Sequence, residues 1–593
     1  MTALASAMTM IREGARNAAG AVTLLPWWLA LGLAALTVVV GVVLTLNPFA
    51  SLAVLVVGVV LALALAGVSE LATADRTGTA RWQLIRGLAY LAAAVAVLAW
   101  PGRSLRLLTV VLALSLVVGG ALEVLQARHR RGVERANLLV SGASGIVLGL
   151  VALSWPDVSV LVVAVVLGVR TIVLGVRQAA QAWRRRGGAV VERTAPRPGW
   201  LRLGGATLGL LGALALLAVT AAVKSASPRR DAFYTAPAEV PDRPGALLRA
   251  EPFDRGIPDG ADGWRILYTT TRDDGVPAVA SAIVVRPDGQ DGPSPLIAWA
   301  HGTTGTVPGC APSVLEDTFE TGAFYLAPDV VEQGWTLVST DYVGLGTEGP
   351  HPYLIGQGVG RSVLDSVRAA QEFTELDLDG STVVWGHSQG GGAALWTGVL
   401  AATYAPELRI DGVAALAPAA NLPGLVGNLE SVPAGSLFAS YVITAYDDEY
   451  DDVRLDDVVR PGAQTVIEEM ATRCLAEPGV LVSVLTSFGL DQPIWSRDPR
   501  EGALGERLRQ NVPDGPIDAP LLLAQGGADQ LVLPAAQDAY VQDRCDDGHA
   551  VDYRVYEGRD HVPLVEPDSP LVPDLLQWTR DRLAGEEPLD TCG

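Results

Sequence analysis

The stretch STVVWGHSQGGGAALW, residues 381–396, sets a serine between two glycines. A serine hydroxyl is a weak nucleophile. It needs an exposed position, an adjacent base and donors for the charge that develops on the attacked oxygen. The flanks supply the first requirement. The β-branched run before Gly386 predicts a strand, and the Ala/Leu-rich run after Gly390 predicts a helix. In a strand–turn–helix setting, G-x-S-x-G is a nucleophile elbow; a glycine-rich structural turn is the alternative. Gly386 and Gly390 permit close backbone approach, and the following helix aims the positive end of its dipole at Ser388.

A base and an acid must then follow in the order Ser…Asp/Glu…His. Among six histidines, only His549 and His561 come after a suitable acid. His549 precedes the predicted strand VDYRVY, at the end of a sheet away from the elbow. His561 follows that strand, at the elbow's end, and is the expected base. The acid is expected after the strand before it: APLLLAQGGADQLVLP, residues 519–534, ends in a Gly-rich turn that contains Asp529. Asp560 adjoins His561 and reads as solvated or structural, and His387 reads as pointing away from the site. One oxyanion donor is expected from the N–H of Gln389. The other is expected from a loop after an early strand, either HGTTG (301–305) or DYVG (341–344).

To position these residues, the chain after about 250 needs a sheet with alternating helices. Apolar β-type runs fall at 264–270, 277–285, 295–300, 335–340, 381–386, 411–417, 519–525 and 551–556, with a helical pattern over 361–376. The alternation predicts a mostly parallel sheet flanked by helices, with the first two strands as an antiparallel edge. A long insertion at about 421–515, rich in Leu, Val and Phe, reads as a helical cap over the site; a structural subdomain is the other reading.

With the HGTTG loop, the DYVG loop, the elbow, Asp529 and His561 in this order, residues 250–590 resemble the secretory lipases. The resemblance implies an α/β-hydrolase fold with a helical cap and no cofactor. It implies Ser388, Asp529 and His561 as catalytic residues. For the second oxyanion donor it implies the N–H of Asp341, with Thr303 and Thr304 as the other choice.

The first 230 residues differ in kind. They carry 22 Lys and Arg against 7 Asp and Glu, whereas the remainder carries 21 against 57. An acidic globular part argues against nucleic-acid binding, which needs clustered positive charge. Apolar runs at about 25–46, 50–69, 84–100, 105–125, 137–155, 158–176 and 201–223 are each near bilayer-spanning length. The first six repeat. Pro48, Pro101 and Pro156 are each followed three residues on by Ser51, Ser104 or Ser159, and nineteen on by Gly67, Gly120 or Gly175. Three helical hairpins, each with a tight Pro turn, explain this pattern. Residues 25–180 therefore resemble the HdeD-like short-repeat membrane family, which implies an association with acid or stress and no particular chemistry. Arg170 falls inside a span, where it reads as snorkelling or pairing with Glu70 or Glu123; a functional charge is the alternative.

Arginines cluster before the first run, between the second and third, between the fourth and fifth, and after the sixth. This places 1–24 in the cytoplasm. A seventh span at 201–223 then carries the chain outward through a linker, 224–249, to an extracytoplasmic domain, 250–593. Cys310, Cys474, Cys545 and Cys592 all lie in that domain, which fits an oxidising compartment. Cys310 and Cys474 belong to loops on the elbow side of the sheet, and Cys545 and Cys592 to the opposite end, so the expected disulfides are 310–474 and 545–592. No Cys/His spacing suits a metal.

The sequence therefore predicts a multi-span α-helical membrane domain followed by a capped α/β-hydrolase. It is expected to cleave a lipid or small-molecule ester through an acyl-enzyme. A peptidase or acyltransferase on the same triad, or a stress-response membrane protein whose hydrolase-like domain only binds, are the alternatives.

Overall fold

The computed structural model describes residues 26–46, 101–186, 199–290, 292–488, 490 and 493–592, with scattered positions between 57 and 99. The chain falls into two units: the first is Met1–Ala221 with the short segments Pro461–Thr465 and Gly489–Gln492, and the second is the remainder from Ala222.

In the first unit, helices α1 (Trp27–Leu46), α2 (Pro101–Gln126), α3 (Gly132–Ser154), α4 (Pro156–Arg186) and α5 (Gly199–Ser225) coincide with five of the apolar runs. Residues 1–24, most of the runs at 50–69 and 84–100, and the side chains of Glu70 and Arg170 lie outside the described residues. Helices α1 and α3, and α5 from Trp200, are long and apolar enough to cross a membrane. Their outward faces are Leu and Val, such as Leu36, Leu150 and Leu208. Such faces need apolar surroundings.

The repeated residues have structural work. Ser159 donates its hydroxyl back across the Pro156 turn to the Ala152 carbonyl, 2.9 Å away. Gly120 meets α3 so closely that a Cβ there would overlap the Gly142 carbonyl. Gly175 meets α1, where a Cβ would fall 2.8 Å from the Val38 nitrogen. Small residues let helix backbones approach where no hydrophobic effect drives them together. Gly120 and Gly175 are thus contact points between one hairpin and another.

In the second unit, nine strands form one sheet: β1 (Leu247–Pro252), β2 (Ala261–Thr271), β3 (Pro277–Pro287), β4 (Ser294–Ala300), β5 (Thr336–Thr340), β6 (Leu378–His387), β7 (Arg409–Leu416), β8 (Leu521–Gly526) and β9 (Asp552–Tyr556). Their order is β1-β2-β3-β5-β4-β6-β7-β8-β9. Pairs from β1 to β5 are antiparallel, and those from β5 through β4 to β9 are parallel. Side chains alternate between two cores. Val384 packs with α6 (Gly356–Glu372) and α7 (Gln389–Tyr404). Its neighbours Val383 and Trp385 pack on the other face.

Between β7 and β8 lies the long insertion, which includes α8 (Gly435–Glu449) and α9 (Val480–Phe488). After β8 comes α10 (Pro534–Asp546), and after β9 comes α11 (Leu571–Leu583), which covers the face of Val383 and Trp385. The disulfides join Cys310 to Cys474 and Cys545 to Cys592, the pairing expected.

The expected linker differs. Strand β1 begins at Leu247, and Phe233 and Tyr234 are buried. The Tyr234 hydroxyl donates to the Ser313 carbonyl at 3.0 Å, and the Arg265 guanidinium lies 4.2 Å over the Phe233 ring. Burial of two aromatics and a cation–π contact hold this Pro-rich stretch on the domain, with a single 3-10 turn at Ala232–Tyr234 as its regular element before β1.

The Cys545–Cys592 bridge ties the chain end to α10 across a separation of 47 residues. Cys545→Ser should lower the stability of the second unit by about 2–4 kcal/mol, the range for a loop of this size. Chemical denaturation of parent and variant under non-reducing conditions measures it.

Candidate active site

The elbow forms where β6 meets α7. Ser388 has φ 58° and ψ −119°, a strained conformation for a residue with a Cβ. Its backbone is pinned on both sides: its N–H donates to the Leu416 carbonyl at 2.9 Å, and its carbonyl accepts from Ala419 at 2.9 Å and Gly392 at 3.1 Å. Glycine is required around it. A Cβ on Gly386 would overlap the Gly390 carbonyl, and one on Gly390 would overlap the Ala300 carbonyl at the end of β4.

His561 sits in the loop after β9, with its Nε2 2.8 Å from Ser388 Oγ. Its Nδ1 lies 2.8 Å from Asp529 Oδ2, in the loop after β8. A carboxylate accepts, so Nδ1–H is the donor and Nε2 is left to accept the serine proton. The Asp529 carboxylate is oriented by the N–H groups of Leu531 and Val532, each at 2.9 Å, and by Gln525 Nε2 at 3.2 Å. Asp529 and His561 are buried, and Ser388 is half-buried. The structure thus brings Ser388, His561 and Asp529 into one hydrogen-bonded line.

Neighbouring residues separate cleanly. The Asp560 carboxylate accepts the N–H of His561 at 2.8 Å and of Gln530 at 3.2 Å, tying the two loops together. His549 donates its N–H to the Arg544 carbonyl, next to Cys545. His387 departs from the reading that it points away. Its Nε2 lies 3.0 Å from the His561 carbonyl and donates to it, and the two rings lie 4.8 Å apart.

The oxyanion loops also divide. The Asp341 N–H, expected as the second donor, instead donates to the Ser281 carbonyl at 2.7 Å, as an edge bond between β5 and β3. It is therefore consumed by the sheet and not aimed at Ser388. The 301–305 loop is the one against the elbow, because Gly390 abuts Ala300 and His301. Among the described residues, the N–H groups of Thr303 and Thr304 donate to no other group. The N–H of Gln389, in the first turn of α7, is likewise left without an intrahelical partner.

Comparison with known proteins adds a second line of observation. The secretory lipase family matches residues 313–591. A short repeat of unknown function matches residues 32–99, 85–147 and 140–218. Lipase 5 of Candida albicans is 28% identical over 402 residues, which cover 62% of this chain and 83% of that protein. A secreted triacylglycerol lipase of Malassezia globosa is 27% identical over 402 residues, covering 63% of this chain and 86% of its own. The crystal structure of Candida antarctica lipase A superposes with a TM-score of 0.52 at 22% identity, covering 61% of this chain and 87% of that one, which shows a shared fold. Residues 313–591 are thus similar to the secretory lipases.

Behind the elbow, the second unit holds a buried polar layer that no sequence pattern marked. Gln389 Nε2 donates to His351 Nε2 at 3.0 Å, and His351 Nδ1 donates to the Val343 carbonyl at 3.0 Å. The ring of Tyr342 stacks between, 4.4 Å from His301 and 5.8 Å from His351. The Tyr342 hydroxyl donates to the His301 carbonyl at 3.0 Å. His351 and Gln389 are 38 residues apart, so no local spacing links them. Asp341 contributes through its side chain. Its carboxylate accepts from the hydroxyls of Ser281 and Ser313 and from the Ser313 N–H at 2.9 Å. Burial pushes this carboxyl up to about 6. Burial pushes His301 down to about 4 and His351 down to about 3, and holds His387 well below the usual histidine range.

These buried histidines are neutral in the folded state. For His351, the depressed folded value means a stability term present above about 6.5 and lost as pH falls toward about 3. His351→Gln removes this term while keeping a polar side chain beside Gln389. Between pH 7 and pH 4.5 the parent should lose about 2–3 kcal/mol more stability than the variant. Denaturant titrations at the two pH values test it; equal losses would show that His351 does not titrate on unfolding.

Proposed function

We propose that the lipase domain is a serine hydrolase of carboxylic esters, acting on a lipid or other acyl ester. The line from Ser388 through His561 to Asp529, with both contacts at 2.8 Å, carries this reading. Similarity to triacylglycerol lipases supports the substrate class.

Ser388 Oγ attacks the ester carbonyl carbon while its proton passes to His561 Nε2. Asp529 accepts from Nδ1–H and stabilises the imidazolium without taking the proton. The N–H of Gln389 and an N–H of the Thr303–Thr304 loop stabilise the oxyanion of the tetrahedral intermediate. That intermediate collapses: the carbon–oxygen bond to the alcohol breaks, the alcohol takes the proton from Nε2, and an acyl-enzyme remains. Water attacks the acyl carbon, gives its proton to Nε2, and the acid departs as Ser388 regains its own proton. No step needs a cofactor.

The N-terminal unit is read as a membrane anchor of seven spans, with 1–24 cytoplasmic and the lipase domain extracytoplasmic. Support comes from the alternation of basic loops, the three long apolar helices, the repeat family and the two disulfides.

Ser388→Ala should abolish labelling by a fluorophosphonate probe and lower kcat for p-nitrophenyl butyrate by about four orders of magnitude or more. Asp529→Ala and His561→Ala should each remove most activity, and double variants should be little worse than single ones. An enzyme that prefers aminoacyl anilides to esters would instead be a peptidase. For topology, protease added to intact cells should cut after residue 225; cleavage only after lysis would reverse the orientation.

A further inference from the structure

Helix α9 is built inside out. Its exposed face is Leu481, Leu485 and Phe488, at positions i, i+4 and i+7, exposed by 64%, 70% and 70%. Its inward face is polar: Ser483 and Thr486 are buried. Arg473 Nη1 donates to Ser483 Oγ at 3.1 Å, and Ser436 donates to Ser487 at 2.9 Å. A helix of a soluble domain turns such residues the other way. The polar bonds fix the helix, so its Leu and Phe cannot turn inward without breaking them.

The residues just before α9 say what covers this face. Helix α5 ends at Ser225, and the Pro228 carbonyl lies against Gly309, where a Cβ would fall 3.3 Å from it. Three residues of chain reach at most about 11 Å, so the point where the chain leaves its last span lies near Gly309 and the adjoining Cys310. Cys310 is bridged to Cys474, six residues before Val480, which opens α9. The same short segment touches the loop beside Ser388. Cys474 is bridged to Cys310, and the Leu475 N–H donates to the Thr304 carbonyl at 2.8 Å. The Cys474–Val480 segment therefore links the chain just after the span, the apolar helix and the 301–305 loop.

We infer that α9 lies with Leu481, Leu485 and Phe488 in the bilayer that holds α5, and that the active site takes its ester from that same bilayer. The inference rests on the reading of α5 as a span and of the domain as an ester hydrolase. The substrate class it names is a membrane-dissolved acyl ester, taken from the leaflet beside the tether and not from bulk water. An amphipathic face of this kind inserts to the depth of the headgroup–acyl boundary.

Two measurements on the full chain in phosphatidylcholine vesicles separate the parts. All four native cysteines are paired, so Phe488→Cys offers a single thiol for an environment-sensitive fluorophore. A nitroxide on the lipid acyl chain should quench roughly half of its emission, and aqueous iodide should quench little. Iodide quenching without nitroxide quenching would overturn the docking. So would a label shielded from both, which would mean that protein, such as a second copy of the chain, covers the face. In the second measurement, Leu481→Gln, Leu485→Gln and Phe488→Gln are combined. Turnover of a diacylglycerol in the vesicle should fall at least about tenfold relative to turnover of soluble p-nitrophenyl acetate. An unchanged ratio would overturn the bilayer source. A parent that cleaves neither ester would refute the hydrolase reading, while the quenching result would still decide the docking.

Discussion

The backbone of Ser388 is the constraint from which the rest of the site follows. A residue with a Cβ at φ 58° costs on the order of 1–3 kcal/mol and persists only where its surroundings over-determine it. Here the surroundings are the ends of three parallel strands. β4 supplies the Ala300 carbonyl against Gly390, β6 supplies the serine, and β7 supplies the Leu416 carbonyl that accepts the Ser388 N–H at 2.9 Å. Any side chain at Gly386 or Gly390 would push these strand ends apart. The same crowding presses the 301–305 loop against the elbow, so the strained turn and this loop are one packing unit.

Buried polar groups then hold this unit without competing with it. His301, His351 and His387 are kept neutral by burial; each spends one ring nitrogen on a backbone carbonyl, and His351 accepts from Gln389 at the other. His387 steadies the loop that carries His561, and Asp560 links that loop to the one that carries Asp529. A half-satisfied network of this kind would be costlier than an apolar core. Few of its members are left over, although His387 Nδ1 and Gln389 Oε1 lack partners among the described residues.

The two units solve opposite packing problems with the same residue type. In the first unit, glycines such as Gly120 and Gly175 let helix backbones touch, because apolar side chains gain little by leaving apolar surroundings. In the second unit, apolar burial is strong, and the glycines beside Ser388 serve a sharp turn between a strand and a helix. Helix α9 belongs to the second unit but follows the logic of the first, with polar residues inward and apolar residues outward.

The sequence by itself determined what depends on local period and chain order. The strand–turn–helix around Ser388, the order of Asp529 and His561 and the Pro–Ser–Gly repeat were all legible from neighbours in the chain, and the pairing of Cys310 with Cys474 and of Cys545 with Cys592 from the end of the sheet at which the strand order places each cysteine. Eight strands were legible for the same reason. The ninth, β1, was not, because LLRAEP is half-buried at an edge and has no alternation to read. What only the tertiary structure decided depends on which segments become neighbours. Asp341 follows a strand as an oxyanion donor should, yet β3 pairs antiparallel with β5 and takes its N–H. No pattern in DYVG announces that partner, 60 residues earlier in the chain. His387 faces His561 across 174 residues, and Phe233 and Tyr234 find their cavity only once the strands and the Ser313 loop have assembled. Periodicity reports which face a residue presents. It carries no information about what the fold will set against that face.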